Sequence, residues 1–546
     1  MPTTWTRTAL AAALLAALLL PAAPADACTS ILVAKGASAD GSTMITYAAD
    51  SHDLYGELYF LSGKRFGPGA MREIVEWDTG KHLGRIPQPA VTYTRIGNMN
   101  EHQVAISETT FGGREELEGP AGILDYGSLI YIALERAKTA REAIQVMTGL
   151  VEEFGYASSG ESFSIADAKE AWILEMIGKG KERKGAVWVA RRLPDGTISA
   201  HANHPRIRTF PLKDPDTLYS PDVVSFAREM GWFDGPDAEF SFADVYAPLD
   251  FGGVRFCEAR VWSVFRRAAP SLDLPLEMAD GRHPEARLPL WVKPDRKLAV
   301  ADVMELMRDH YEGTPLDMTQ DVGAGPYACP YRWRPMTWEV DGETYLHERA
   351  ISTQQTGFSL VSQSRDWLPD PIGGILWFGL DDTYSTVYVP MYAGIRSVPK
   401  TFAEGVASMS EFSWDSAFWV FNWVANYAYS RYSDMIVEIR SLQRELEGQF
   451  FADQPAVEEK AMALHRQAPE LARDYLTSYS VEAGDRVTAR WRRLGEQLLV
   501  KYMDGNVKDE YGRPKHPRYP DEWYRRIARE RGEQLRVVPM PGEGQP

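Results

Sequence analysis

The stretch Thr29 to Ala34 is apolar and β-prone, Lys35 to Gly41 is turn material, and Ser42 to Ala48 is β-prone again. That pattern predicts a hairpin opening directly after Cys28. A hairpin returns the far end of its second strand to the start of its first, so Tyr47 to Asp50 are expected beside Cys28. Val91 to Ile96 and Gln103 to Ser107 read as strands around a turn at Gly97 to Glu101. From Tyr126 to Leu150 the spacing becomes helical, through Leu129, Ile132, Ala133, Ala137, Ala143, Ile144 and Met147. Within it, Thr139 followed by Glu142 has the form of a capping box and splits the stretch into two helices.

Four β-prone runs follow, Ser162 to Asp167, Ala171 to Ile177, Ala186 to Arg191 and Gly196 to Ala202, separated by turns as in an antiparallel meander. Val300 to Tyr311 reads as a helix, and Ala350 to Gly394 returns to strands. From about Ser413 the chain is helical again. Phe418, Trp419, Trp423 and Tyr427 form a packing stripe at helical spacing, and further helical segments run over Val457–Ala468 and Val487–Met503. Strands, then helices, then strands predict a layered α+β fold rather than a βαβ repeat. The organisation expected is a leader over 1–27, a main domain over 28–405 and a helical C-terminal region over 406–546.

Composition narrows this picture in two ways. Hydrophobic residues make up 44% and charged residues 25% of the 546, ordinary values for a soluble globular protein. The formal net charge of −17 argues against nucleic acid or an anionic membrane surface as a partner. Residues 1–27 have the parts of an export signal: Arg7, the apolar run Ala9 to Leu20, Pro21 and Pro24, and small Ala25 and Ala27 before Cys28. Cleavage after Ala27 would make Cys28 the first residue of a secreted or periplasmic protein. A lipoprotein anchored through Cys28, with no enzymatic role, is the competing reading, but a large aliphatic residue is usual where Ala25 stands. No later run reaches the ~18 apolar residues that suggest a membrane span, so no integral membrane segment is expected after processing. The other cysteines, Cys257 and Cys329, are either a disulfide pair or two buried thiols.

If Cys28 leads the mature chain, a thiol with an ordinary pKa of about 8.5 shares one residue with an α-amine of about 7.7–8.0. The amine can then act as the base for the thiol. Asp50, carried alongside by the hairpin, is suited to orient that amine or bind a positive group. Asn203, at the end of a strand, offers an amide to a developing oxyanion. Arg260 can lower the thiol pKa or hold Asp50. A metal site is not expected: no His-Glu-x-x-His motif occurs, and His201 and His204, spaced i, i+3, lie in a strand-to-turn setting.

The segment from Cys28 to Met44 resembles the mature start of the dipeptidase A-like cysteine peptidases, related to the secernins and, more distantly, to bile salt hydrolase and penicillin V acylase. Gly97 to Glu101, Glu161 to Glu175, Asp195 to Asn203 and Glu312 to Pro315 add to the resemblance, which covers roughly 28–405. It implies an N-terminal-nucleophile (Ntn) hydrolase with a four-layer αββα sandwich, cleaving dipeptides or other short peptides without a metal or other cofactor. By that resemblance Cys28 is the nucleophile, Asp50 the acidic residue after the second strand, Asn203 the oxyanion donor, and Arg260 a further site residue. The chain departs at Tyr47, where many relatives carry the arginine that pairs with the aspartate. Tyr47 and Thr110 are thus candidate substrate-binding residues, Thr110 standing where the distant acylases place an oxyanion-hole amide. An amidase acting on N-acyl amino acids or bile-salt-like amides is the alternative enzyme. The sequence leaves homo-oligomer formation open.

Overall fold

The computed structural model describes residues 28–119 and 121–538, so the expected leader, 1–27, lies outside the described residues. The strands that matter run β1 (Ser30–Val33), β2 (Thr43–Asp50), β3 (Phe60–Leu61), β4 (Arg95–Ile96), β5 (Met99–Asn100) and β6 (Ala105–Phe111). They continue as β7 (Gly160–Ala166), β8 (Ala171–Gly178), β9 (Ala186–Arg192), β10 (Ile198–His201) and β11 (Thr217–Tyr219). The last are β12 (Trp291–Val292), β13 (Thr356–Ser364), β14 (Ile375–Leu380) and β15 (Val389–Tyr392). A seven-stranded sheet has the order β12-β10-β1-β2-β13-β14-β15, and an eight-stranded sheet the order β11-β9-β8-β7-β6-β5-β4-β3. Both are antiparallel throughout their paired strands.

The two sheets face each other, with β1 and β2 packed on β6 and β7. Every residue of β2 and β13 is buried, as strands covered on both faces must be. Helices α1 (Tyr126–Arg136) and α2 (Ala140–Phe154) lie on β6, β7 and β8. Thr139 caps α2 through the Glu142 amide, as the capping pattern predicts. Helices α3 (Ala259–Ala268) and α4 (Val300–Met307) pack on the seven-stranded sheet, α3 against β10 and α4 against β2 and β13.

The C-terminal region is helical: α5 (Ala417–Ala428), α6 (Tyr432–Gln467), α7 (Pro469–Tyr502) and α8 (Asp521–Leu535). It shares the buried core of the sheets. Helix α7 packs on β15 and α5 on β14, and the buried Arg308 and Arg365 of the main domain reach Glu447 and Glu458 of α6. Helix α6 runs unbroken through Pro455, where the sequence reads as two segments. Burial of Val457 and Ala461 and the Arg365–Glu458 pair hold the turns beyond the proline, offsetting the roughly 3 kcal/mol an interior proline costs.

The fourth strand of the expected meander departs from it. Strands β7, β8 and β9 are neighbours in the eight-stranded sheet, but β10 crosses to the other sheet and pairs with β1, Ser30 opposite His201. The short β11 takes its expected place beside β9. The crossing puts His201 between the layers, where its ring meets the Thr109 hydroxyl at 2.7 Å and the Ser164 hydroxyl at 2.7 Å.

Burial holds the His201 imidazole neutral, its pKa lowered to about 3, with Arg206 and Arg260 adding to the shift. The unfolded chain therefore takes up this proton first, and stability should fall as pH drops from about 6.5 towards 3, by at most roughly 1.4 kcal/mol per unit. Urea unfolding at about pH 7 and about pH 5 should show that loss in the parent and a shallower one in His201→Gln, which keeps hydrogen-bonding atoms but does not titrate there.

Candidate active site

Cys28 precedes β1 and is 5% exposed. The Thr29–Ala48 bridge and the Leu32–Ile45 register bring Tyr47 and Asp50 of β2 beside it, as the hairpin predicts. The Cys28 Sγ lies 3.9 Å from the Tyr47 hydroxyl and 3.7 Å from Glu108 Oε1. The Tyr47 hydroxyl donates to Glu108. Burial pushes the Cys28 thiol well up, and the charges of Glu108 and Asp50 push it further, against hydrogen bonds from the Asp50 amide and Tyr47. With Cys28 linked to Ala27 by a peptide bond, this residue is a thiol at neutral pH.

Arg260 organises the wall behind Cys28. A π-helical turn over Gly253–Glu258 leads into α3 and sets the side chain inward, 1% exposed. Its Nε donates to the Phe256 carbonyl at 2.7 Å. Nη1 donates to the Cys28 carbonyl at 2.6 Å and the Thr29 hydroxyl at 2.8 Å. Nη2 donates to the Ala202 carbonyl at 3.2 Å and Asn203 Oδ1 at 2.9 Å. Arg260 thus grips the backbone of Cys28 rather than Asp50, and it is buried rather than part of a surface ion pair.

Asn203 follows β10 in the left-handed region, φ 61°, which asparagine tolerates better than most residues. Its Oδ1 accepts from Arg260, and its Nδ2 donates to the Thr110 carbonyl at 2.7 Å. The Thr110 hydroxyl donates to Glu161 Oε1 at 2.9 Å, with Glu108 Oε2 at 3.5 Å. It is turned to the carboxylates, and Thr110 lines the cavity beside them.

Asp50 ends β2, 1% exposed. Its carboxylate accepts from Arg349 Nη2 at 2.6 Å and from the Thr356 hydroxyl at 2.6 Å. The arginine expected at position 47 is thus supplied from the segment before β13. Burial raises the Asp50 pKa, opposed first by Arg349.

Sequence reasoning missed Glu108, Glu161 and Arg349. The strand expected to stop at Ser107 continues to Phe111, and its two-residue period sets Glu108 and Thr110 on one face. Glu161 of β7 stands opposite Thr110. A buried Asp50 without a neighbouring base was the signal for Arg349, but nothing local named the partner.

In front of Cys28 lies a cavity of about 540 Å³. Its floor carries Cys28, Tyr47, Asp50, Glu108 and Thr110, and Tyr59, Trp77, Tyr131 and Phe358 give it an aromatic wall. Cys257 and Cys329 are free thiols, Cys257 donating to the Asn203 carbonyl at 3.5 Å. Among the described residues no group of three or more His, Cys, Asp or Glu side chains is placed to hold a metal ion, and no helix is long and apolar enough to cross a membrane.

A mixed α/β chain with a buried cysteine at the foot of a cavity and acid, amide and guanidinium groups around it is built like a hydrolase. The chain belongs to peptidase family C69, whose sequence profile matches residues 27–66 and 69–445. It is 28% identical over 393 residues to a protein from Salmonella dublin named "Probable dipeptidase", covering 68% of this chain and 82% of that one. It is 26% identical over 470 residues to "Probable dipeptidase A" from Streptococcus pyogenes serotype M3, covering 80% and 90%. It is 27% identical over 421 residues to "Dipeptidase" from Bifidobacterium longum, covering 68% and 72%.

Removing Arg349 leaves the Asp50 charge buried without its ion-pair partner, an uncompensated state that costs about 3–5 kcal/mol. Arg349→Met should therefore lose about that much in denaturant unfolding, and adding Asp50→Asn to it should recover part of the loss by removing the charge.

Proposed function

We propose that this chain is an exported dipeptidase of the Ntn type, acting through Cys28 once cleavage after Ala27 has made it the first residue. The observation that carries this reading is the Cys28 thiol at the foot of the cavity, its carbonyl held by Arg260 and its flank formed by Asp50 and Asn203. Two facing antiparallel sheets with helices on their outer sides support the αββα sandwich. The names of the family relatives support dipeptides as substrates.

In the proposed cycle the α-amine of Cys28 takes the thiol proton, directly or through a water. The thiolate attacks the scissile carbonyl and a C–S bond forms. Asn203 Nδ2 and backbone N–H groups, the Asp50 amide among those near the sulfur, stabilise the oxyanion. The C–N bond breaks as the protonated amine gives its proton to the leaving nitrogen. Water, activated by the same amine, hydrolyses the thioester and restores the thiol.

Processing is then the activation step. In the unprocessed chain the Cys28 nitrogen is an amide and no base, while its burial and acidic neighbours keep the sulfur protonated. Cleavage frees a base on the same residue, and the ammonium it becomes on taking the proton stabilises the adjacent thiolate.

Intact mass and N-terminal sequencing of exported protein should give a chain starting at an unmodified Cys28. A diacylated Cys28 would overturn the reading in favour of an anchored lipoprotein. Cys28→Ala should lower kcat/KM on dipeptides by at least about 10³-fold, the scale of losing a covalent nucleophile. A chain retaining Ala27 should be inactive and should react slowly with iodoacetamide.

A further inference from the structure

Among the described residues, the charged side chains lining the cavity are all acids: Asp50, Asp53, Asp78 and Glu108. Asp50 is paired with Arg349, and Asp78 accepts from the Tyr126 hydroxyl at 2.8 Å. Glu108 stands apart from these. It is 1% exposed, yet it lines the cavity at 3.7 Å from the nucleophilic sulfur, a poor place for an anion if its only effect is on the thiol. Its hydrogen-bond partners are the Tyr47 and Thr110 hydroxyls, the Cys28 thiol and the Glu161 carboxyl, and no basic side chain is among them.

Behind it, wholly buried, is Glu161, whose Oε2 has no hydrogen-bond partner. Burial and the charge of Glu108 push the Glu161 pKa well up. Burial raises the Glu108 pKa too, so the pair favours the proton on Glu161, the deeper carboxyl, and Glu108 is the acid that faces the cavity. A negative charge buried beside a cavity calls for a cation to complete it.

We propose that Glu108, backed by Glu161 and aimed by Tyr47, is the site for the substrate's free α-ammonium group, restricting this enzyme to peptides whose scissile bond follows an unblocked N-terminal residue. This assignment rests on the reading of Cys28 as nucleophile. In such a peptide the ammonium nitrogen and the scissile carbonyl are attached to the same α-carbon. With the sulfur roughly 3–3.5 Å from that carbonyl carbon, as attack requires, the ammonium falls within reach of a carboxylate that flanks the sulfur. The aromatic wall of Tyr59, Trp77, Tyr131 and Phe358 is then left for a side chain of the substrate.

The same contact couples recognition to reactivity. An empty site leaves Glu108 against the sulfur, which disfavours the thiolate. A bound ammonium cancels the Glu108 charge and favours the thiolate. An N-acylated peptide brings no cation, so it pays for burying Glu108 and meets a less reactive sulfur.

The test compares a dipeptide with its N-acetyl form on the mature enzyme. The parent should strongly prefer the free amine. Glu108→Gln should lower kcat/KM for the free dipeptide by about 10- to 100-fold, the worth of a hydrogen bond to a charged group, and leave the N-acetyl form unchanged or improved. Glu161→Gln, which keeps the Glu108 carboxylate, should retain the preference for the free amine that Glu108→Gln loses. Glu108→Gln should also react faster with iodoacetamide than the parent in the absence of substrate, which shows that the variant is folded with an accessible thiol. Equal losses on both substrates would overturn the proposal and make Glu108 a partner of the enzyme's own amine. An unchanged preference in Glu108→Gln would overturn it as well. Full activity in Cys28→Ala would instead refute the nucleophile itself, a failure distinct from either of these.

Discussion

The site depends on one buried guanidinium. Arg260 has five N–H donors, and each meets an uncharged acceptor: the carbonyls of Phe256, Cys28 and Ala202, the Thr29 hydroxyl and the Asn203 amide oxygen. A lysine could not replace this, since its ammonium offers three donors from a point rather than a planar fork. Because the fork is rigid, the position of one acceptor fixes the others. It sets the carbonyl of Cys28 against the end of β10 and fixes the orientation of the Asn203 side chain. Burial lowers its pKa, and the nearby positive charge of Arg349 adds to that. The cost is tolerable because no hydrogen of the group is left without a partner.

Around that anchor the charges form two separate systems. On one side Asp50 and Arg349 compensate each other inside the protein. On the other Glu108 and Glu161 stand together without a basic partner, each pKa raised by burial, and Glu108 faces the cavity. Tyr47 joins the second system rather than the first, since its hydroxyl donates to Glu108 and its ring lies edge-on to Phe358, centroids 5.5 Å apart. An arginine at 47 would instead neutralise Glu108 from within. The tyrosine therefore leaves the cavity acidic, and Arg349 keeps Asp50 paired without it.

The parts of this arrangement legible in the sequence are the local ones. The Lys35–Gly41 turn between two β-prone runs specifies the hairpin, and with it the meeting of Cys28, Tyr47 and Asp50. Thr139 and Glu142 mark the start of α2 through their own backbone contacts. What was not legible depends on pairing at a distance. Ile198 to His201 looks like one more strand of a meander, and only burial against β1 reveals the change of sheet. Glu108 hid in the polar run Ser107 to Thr110, which lacks the apolar alternation that marks a half-buried strand, because both of its faces are covered. Arg349 lies in an irregular stretch, and its partner is 299 positions away.

That separation has a consequence for the order of assembly. The residues that hold Cys28 come from positions 202–203, 256–260 and, through Asp50, 349. A chain made from its N terminus presents its cysteine first and the last of these supports more than three hundred residues later. Arg260 and Asn203 follow Cys28 by more than 150 residues, and Arg349 comes later still. Cys28 is therefore made long before the arginine that pairs with its neighbour Asp50, and a truncated molecule carries the thiol without the full set of groups that surround it.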